Sequence, residues 1–438
     1  MSRLNKGELL ALGFMTFALF LGAGNIIVPA AVGINAGDQL WLAALGFLLT
    51  GVGLPLLTVV ALARVGGGMA QLTSPMGKVA GTLLAIAVYL SIGPLFATPR
   101  TAVVSFEIGV VPFSSDSAWA LLIYSTLYFA LVTYLVLTPG QVLDQVGKII
   151  TPILLLALVV LGAAAIFAPA GQVLAPEAAY QADPIVRGFL EGYLTMDALG
   201  ALVFGVVIAT AIRSQGVSDQ RLVTRYSIIA GIIAALGLSL VYLALIYLGA
   251  TSHTIAQVSD NGGQILAAYV QHTFGPIGNL LLAIVITLAC LTTATGLLIA
   301  CGEYFSRLTG FSYKTVALVF IAFSWAVANQ GLSQLLKFSE PALVGLYPLA
   351  IVLVLISLAN RYWRSETLIM SSCLGLTLVF GLCDGLTVAG LGHWVPAVMQ
   401  QLPFAQQGMG WVLPVVILLL VLVAYERLPR AAKSGAGI

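Results

Sequence analysis

The stretch FLGAGNIIVPA, residues 20–30, decides how this chain is read. It lies inside an apolar run that begins at Leu9 and continues to residue 33. Gly22, Gly24 and Pro29 each weaken a helix, and Asn25 adds a polar group where no water reaches it. In hydrocarbon, non-helical backbone is tolerated only where it is buried in protein or lines a cavity. The stretch therefore predicts a break. A first half-helix ends near Leu21 with free carbonyls that can face a cation. A second begins near Gly24 with free N–H groups that can hold a carboxylate. Glycines also serve close helix packing, so a break needs a second signal elsewhere.

The composition sets the frame. Of 438 residues, 60% are hydrophobic and 8% charged, against roughly 25% charged in soluble domains. This is an all-α integral membrane protein surrounded by lipid. A net charge of +2 and the lack of a basic patch interleaved with aromatics argue against nucleic acid. The N-terminus MSRLNKGELLALGF has the charges of a signal peptide but no small-residue cleavage site, so it reads as an uncleaved span. Cys290, Cys301, Cys373 and Cys383 lie in apolar runs without metal-ligand spacing and read as small buried hydrophobes. No Ser–His or Cys–His constellation suggests an enzyme; His253, His272 and His393 fall in loops or at span ends. No filter repeat suggests a channel.

Twelve spans are expected, approximately 9–33, 40–63, 79–104, 118–138, 147–168, 188–212, 226–249, 277–303, 314–330, 339–359, 367–389 and 409–427, in one transmembrane domain over 1–438. In the connection 250–276, QILAAYVQHTF predicts a short helix across the protein surface. With a cytoplasmic N-terminus, Arg3, Lys6, Arg64, Lys78, Lys148, Arg213, Arg221, Arg225, Arg307, Lys314, Arg361, Arg364, Arg427, Arg430 and Lys433 fall inside. Arg100, Arg187 and Lys337 fall outside, a bias that puts both termini in the cytoplasm.

The second signal is in the sixth span, RGFLEGYLTMDALGALVFGVVIATAIR. Asp197 lies ten residues in from Arg187, about 15 Å along a helix and close to mid-membrane. A carboxylate there points to a functional site; the structural alternative is a buried Asp bonded to a hydroxyl of another helix. Gly192, Thr195 and Gly200 flank it and allow unwinding. Spans one and six open two blocks of five, about 9–168 and 188–359, with extra helices over 367–427. Interrupted helices at matching places in two halves point to a transporter site. Leu21-Gly22-Ala23 recurs as Leu199-Gly200-Ala201. An odd number of spans per block makes the repeats inverted.

The eighth span, ITLACLTTATGLLIACGEYF, clusters Thr292, Thr293 and Thr295. Such hydroxyls either bond back to their own helix or complete an oxygen cage for a small monovalent cation. In the third span, SIGPLFATPRTA reads as a kinked outer end with Arg100 reaching the interface. Tyr89 and Phe96 are candidates to face a central pocket.

GAGNIIVP, GPLFATPRTA, GYLTMDALGAL and LACLTTA together resemble the branched-chain amino acid:cation symporters over nearly the whole chain. The resemblance implies sodium-coupled uptake of leucine, isoleucine and valine across a bacterial inner membrane, by alternating access in a LeuT-type fold of five plus five inverted spans. No obligatory protein partner is implied. By the same resemblance, Gly22, Gly24 and Asn25 match the glycine-glycine-asparagine segment of that fold, whose amides around Gly24 would receive the substrate carboxylate. Ala23, Tyr89, Phe96, Thr195, Asp197 and Gly200 are substrate-binding candidates from their own positions, and Asp197 has no acidic counterpart in that fold. Sodium would meet the carbonyls of Ala18 and Leu21, the Ala289 carbonyl, and the hydroxyls of Thr292 and Thr293. The asparagine of a second sodium site is missing from the seventh span, where none occurs between Arg225 and Gly249. A proton-coupled carrier using Asp197 is the alternative.

Overall fold

A computed structural model describes residues 4–66, 68–114, 117–138, 141–258 and 261–427. Among the described residues the chain is helical, without strands. Among the described residues, eight helical segments are long and apolar enough to cross a membrane. Arg3, Arg430 and Lys433, and the side chain of Lys148, lie outside the described residues.

The first apolar run is two helices, α1 (Lys6–Phe20) and α2 (Gly24–Ala36). A capping box starts α1, with Asn5 and Glu8 each accepting the other's backbone N–H. The second run forms α3 (Leu40–Leu48) and α4 (Leu54–Val65), joined by a π-turn. The third forms α5 (Lys78–Leu90) and α6 (Ala97–Gly109). Between them Gly93, at φ −78° and ψ −111°, and Pro94 interrupt the helix. Then come α7 (Ala118–Leu137) and α8 (Gln141–Phe167).

The sixth run is also broken. α9 (Pro184–Glu191) passes through a 3₁₀ turn, Gly192–Thr195, to Met196 in the left-handed region at φ 64°, and α10 (Asp197–Ser214) follows. The remaining runs form α11 (Gln220–Ala250), α12 (Gly262–Thr309), α13 (Tyr313–Ala328), α14 (Leu332–Leu358), α15 (Glu366–Leu386) and α16 (Val412–Arg427). QILAAYVQHTF is helical as expected, but not superficial. It is the start of α12, turned at Gly275 (φ 68°), and Ile265, Leu266 and Tyr269 are buried. There α12 packs on α2, and a Cβ on Gly262 would collide with the Ile27 carbonyl.

Both halves of the first run, α1 and α2, pack on α11. Both halves of the sixth run pack on the second run, α9 on α3 and α10 on α4. Bare backbone makes these approaches possible. A Cβ on Gly33 would meet the Ile246 carbonyl, and one on Gly249 the Ala30 carbonyl. Gly46 and Gly188 play the same parts against Ile185 and Ala43. Without a hydrophobic drive between helices in lipid, this close contact is what holds them. It also brings the two breaks together at the centre of the protein.

Candidate functional site

At the first break the chain changes its bonding partner. The Leu21 N–H still reaches Phe17 O at 2.9 Å. The Gly22 N–H goes instead to Phe20 O at 2.7 Å and to the Asn25 side-chain oxygen at 3.1 Å, rather than to the Ala18 carbonyl one turn back. Asn25 thus closes the break with its Oδ1, and Pro29 supplies no N–H for the Asn25 carbonyl. The first half-helix ends with free carbonyls, and α2 starts at Gly24 with its N-terminal amides facing the break.

The other end of the Asn25 side chain crosses to the second break. Its Nδ2 donates to both carboxylate oxygens of Asp197 at 2.7 Å. The Tyr242 hydroxyl on α11 donates to Asp197 Oδ2 at 2.5 Å, and it also touches Asn25 Nδ2. Asp197 is the first residue of α10, so its carboxylate sits at a helix N-terminus, where the dipole favours negative charge. Asn25 and Asp197 are 2% and 4% exposed, and Tyr242 is fully buried. Thr195 Oγ1 donates to Gly192 O at 2.9 Å and accepts from the Asp197 N–H at 3.4 Å, securing the 3₁₀ turn.

Arg100 departs from its expected position. It does not reach the membrane interface; it is 2% exposed, at the start of α6. The Gly93–Pro94 interruption turns that helix so that the side chain points inward. Its Nη1 donates to the Leu194 carbonyl at 2.5 Å and its Nη2 to Ser339 Oγ at 3.1 Å. It therefore satisfies a carbonyl freed by the second break and ties α6, the sixth run and α14 together.

A cavity of about 40 Å³ lies between the breaks, room for a few waters. Gly22, Ala23, Gly24, Asn25, Thr195, Asp197 and Gly200 line it, as do Arg100, Thr101, Phe204 and Thr293. Tyr89 and Phe96 are not among its walls. Tyr89 stacks on Tyr304 with ring centroids 4.0 Å apart, and Phe96 stands in the bend before α6.

The three clustered threonines of α12, Thr292, Thr293 and Thr295, divide. Thr295 Oγ1 donates to Leu291 O at 2.7 Å, and Thr292 Oγ1 donates to Ala289 O at 2.8 Å. Both bond back to their own helix. Thr293 Oγ1 is buried without a partner, and its methyl lies against Gly22. Of the five residues expected around a cation, Thr293 lines the cavity, and Ala18, Leu21, Ala289 and Thr292 are not among its walls. Among the described residues no group of His, Cys, Asp or Glu could hold a metal ion.

Two residues of this site were missed in the sequence. Arg100 reads from the sequence as an interfacial cation, and Tyr242 carries no signal separating it from Tyr247 five positions later.

Two broken helices meeting at a small central cavity are the architecture of a secondary transporter. The crystal structure of MhsT in complex with L-phenylalanine is similar in fold, with a TM-score of 0.59 at 16% identity, covering 94% of this chain and 98% of that one. The chain belongs to the branched-chain amino acid transport protein family, which matches residues 5–428. It is 64% identical to the branched-chain amino acid transport system 2 carrier protein of Pseudomonas aeruginosa, over 99% of this chain and 100% of that protein. It is 51% identical to the branched-chain amino acid permease BrnQ of Salmonella typhimurium, over 97% of each. The permease BraB of Bacillus subtilis is 44% identical over 94% of this chain and 93% of its own length. These relatives are carriers and permeases, not enzymes.

Proposed function

We propose that this chain carries leucine, isoleucine and valine into the bacterial cytoplasm by sodium-coupled symport. The observation that carries the reading is the bridge from Asn25 to Asp197, which joins the two helix breaks beside the cavity. The full-length likeness to branched-chain amino acid carriers supports the substrate class. Twelve spans, the first ten in two inverted blocks of five, fit the reciprocal packing of each broken run on a neighbouring run. The lysine and arginine bias supports an inner-membrane protein with both termini inside.

The substrate carboxylate is received at the N-terminus of α2, around Gly22, Ala23 and Gly24. The ammonium meets the carbonyl ends of the breaks, near Asp197. The cavity is smaller than a branched-chain amino acid, so the breaks part to admit one. Ala18, Leu21, Ala289, Thr292 and Thr293 would hold sodium. Its charge, bound between α1 and α12, favours the state that takes substrate, and coupling needs only that difference in affinity. Proton coupling through Asp197 is the second reading.

Equilibrium binding of labelled leucine to the purified protein tests this. Binding that requires sodium, fails in choline, and is displaced by isoleucine and valine is expected. Binding indifferent to sodium, or displaced equally by phenylalanine and alanine, would contradict it.

A further inference from the structure

Arg100 is a cation held near the middle of the protein, and its charge is not neutralised there. Among the described residues no carboxylate forms a salt bridge with it; the two ion pairs present are Arg187–Glu191 and Arg307–Glu303. Its two partners, the Leu194 carbonyl and the Ser339 hydroxyl, are neutral. Nε is buried with no partner at all. A guanidinium has five N–H donors in a planar fork, so this one keeps donors that no protein group uses. A buried cation in this condition is costly, and one inside a membrane protein is rarely kept without a charged or polar counterpart.

Its position indicates the counterpart. The guanidinium lines the cavity between the breaks. A Cβ built on Gly24 would lie 3.3 Å from Arg100 Nη1 and 3.1 Å from the Leu194 carbonyl. The fork therefore stands beside the residue whose amide opens α2. Backbone N–H groups and the guanidinium converge on one small volume from two helices, a pairing that suits a carboxylate. Asp197 lines the same cavity but spends its oxygens on Asn25 and Tyr242.

We infer that Arg100 is a substrate-binding residue whose guanidinium receives the α-carboxylate of the transported amino acid at Gly24. The inference rests on the reading of the first break as the substrate site and adds a fixed positive charge to it. It makes the free carboxylate, rather than the aliphatic side chain alone, a condition for binding. Leucinamide has the same side chain and ammonium but a neutral amide in place of the carboxylate.

The test is the ratio of leucinamide to leucine dissociation constants, measured by competition with labelled leucine in saturating sodium. The wild-type protein is expected to prefer leucine by at least about 100-fold, the scale of a desolvated charge pair. In Arg100→Gln leucine affinity should fall and leucinamide affinity hold, bringing the ratio to within about tenfold. Arg100→Lys keeps the charge and loses the fork. It should weaken leucine about tenfold and leucinamide hardly at all, and it serves if the glutamine variant does not fold. Equal losses for both ligands in either variant would make Arg100 a structural tie between α6, the sixth run and α14, and overturn the inference. So would a wild-type ratio near one. Gly24→Leu separates the two ideas. If it binds leucine normally, the substrate position itself is wrong. If it abolishes binding while Arg100→Gln keeps the wild-type ratio, only the role of Arg100 fails.

Discussion

Asn25 and Asp197 stand 172 positions apart in the chain, and the amide nitrogen of one lies 2.7 Å from both carboxylate oxygens of the other. Each closes a broken helix. Asn25 does so through its Oδ1 on the Gly22 N–H, and Asp197 by opening α10 after Met196. The bridge makes the two breaks one object. A ligand that alters either half-helix acts on both, which is what alternating access between two blocks requires.

Asp197→Asn replaces one acceptor oxygen of the bridge with an NH2 donor, which then faces the donors Asn25 Nδ2 and Tyr242 Oη. Leucine affinity should drop about 100-fold, the scale for breaking a buried charged network. Tyr242→Phe removes one donor and should cost about tenfold. Scintillation-proximity binding on the purified variants measures both. Wild-type affinity in Asp197→Asn would reduce the bridge to a structural ornament.

The threonines of α12 should not contribute equally. Thr293→Val removes the one hydroxyl of the Thr292, Thr293 and Thr295 cluster that has no partner and should raise the sodium concentration for half-maximal leucine uptake by about tenfold or more. Thr295→Val removes a hydroxyl already bound to Leu291 and should leave sodium dependence within about twofold. Sodium titrations of uptake decide it. A larger effect at Thr295 would place the ion elsewhere.

Gly24→Leu should abolish leucine binding while the protein still inserts. Its Cβ alone would crowd the Leu194 carbonyl and the Arg100 guanidinium, and leucine itself suits a membrane helix. Asn25→Ser should retain more binding than Asn25→Leu, because a hydroxyl can still accept from Gly22. The order of residual binding, by equilibrium dialysis, checks the pair.

The first break was readable because its causes are local. Two glycines, an asparagine and a proline act on their own backbone, and α1 ends at Phe20 and α2 begins at Gly24 as those residues imply. The sixth break was readable from a carboxylate among glycines. Arg100 was not, because its acceptor, the Leu194 carbonyl, becomes free only once the sixth run unwinds. The usual placement of cations at the interface then gave the wrong side of the helix. Tyr242 and Tyr247 occur in equally apolar surroundings, and only tertiary packing sets one against Asp197. Neighbouring threonines differ by about 100° around a helix, so spacing groups Thr292, Thr293 and Thr295 while packing frees Thr293 alone. Tyr89 was drawn away from the cavity by stacking on Tyr304, a partner far along the chain.

Coupling is the central claim, and one measurement addresses it most directly. Labelled leucine uptake is followed in proteoliposomes with an inward sodium gradient, and separately with an inward proton gradient in sodium-free buffer. The account predicts accumulation above equilibrium with the sodium gradient and none with the proton gradient alone. Accumulation driven by protons without sodium would contradict it and return Asp197 to the part of proton carrier.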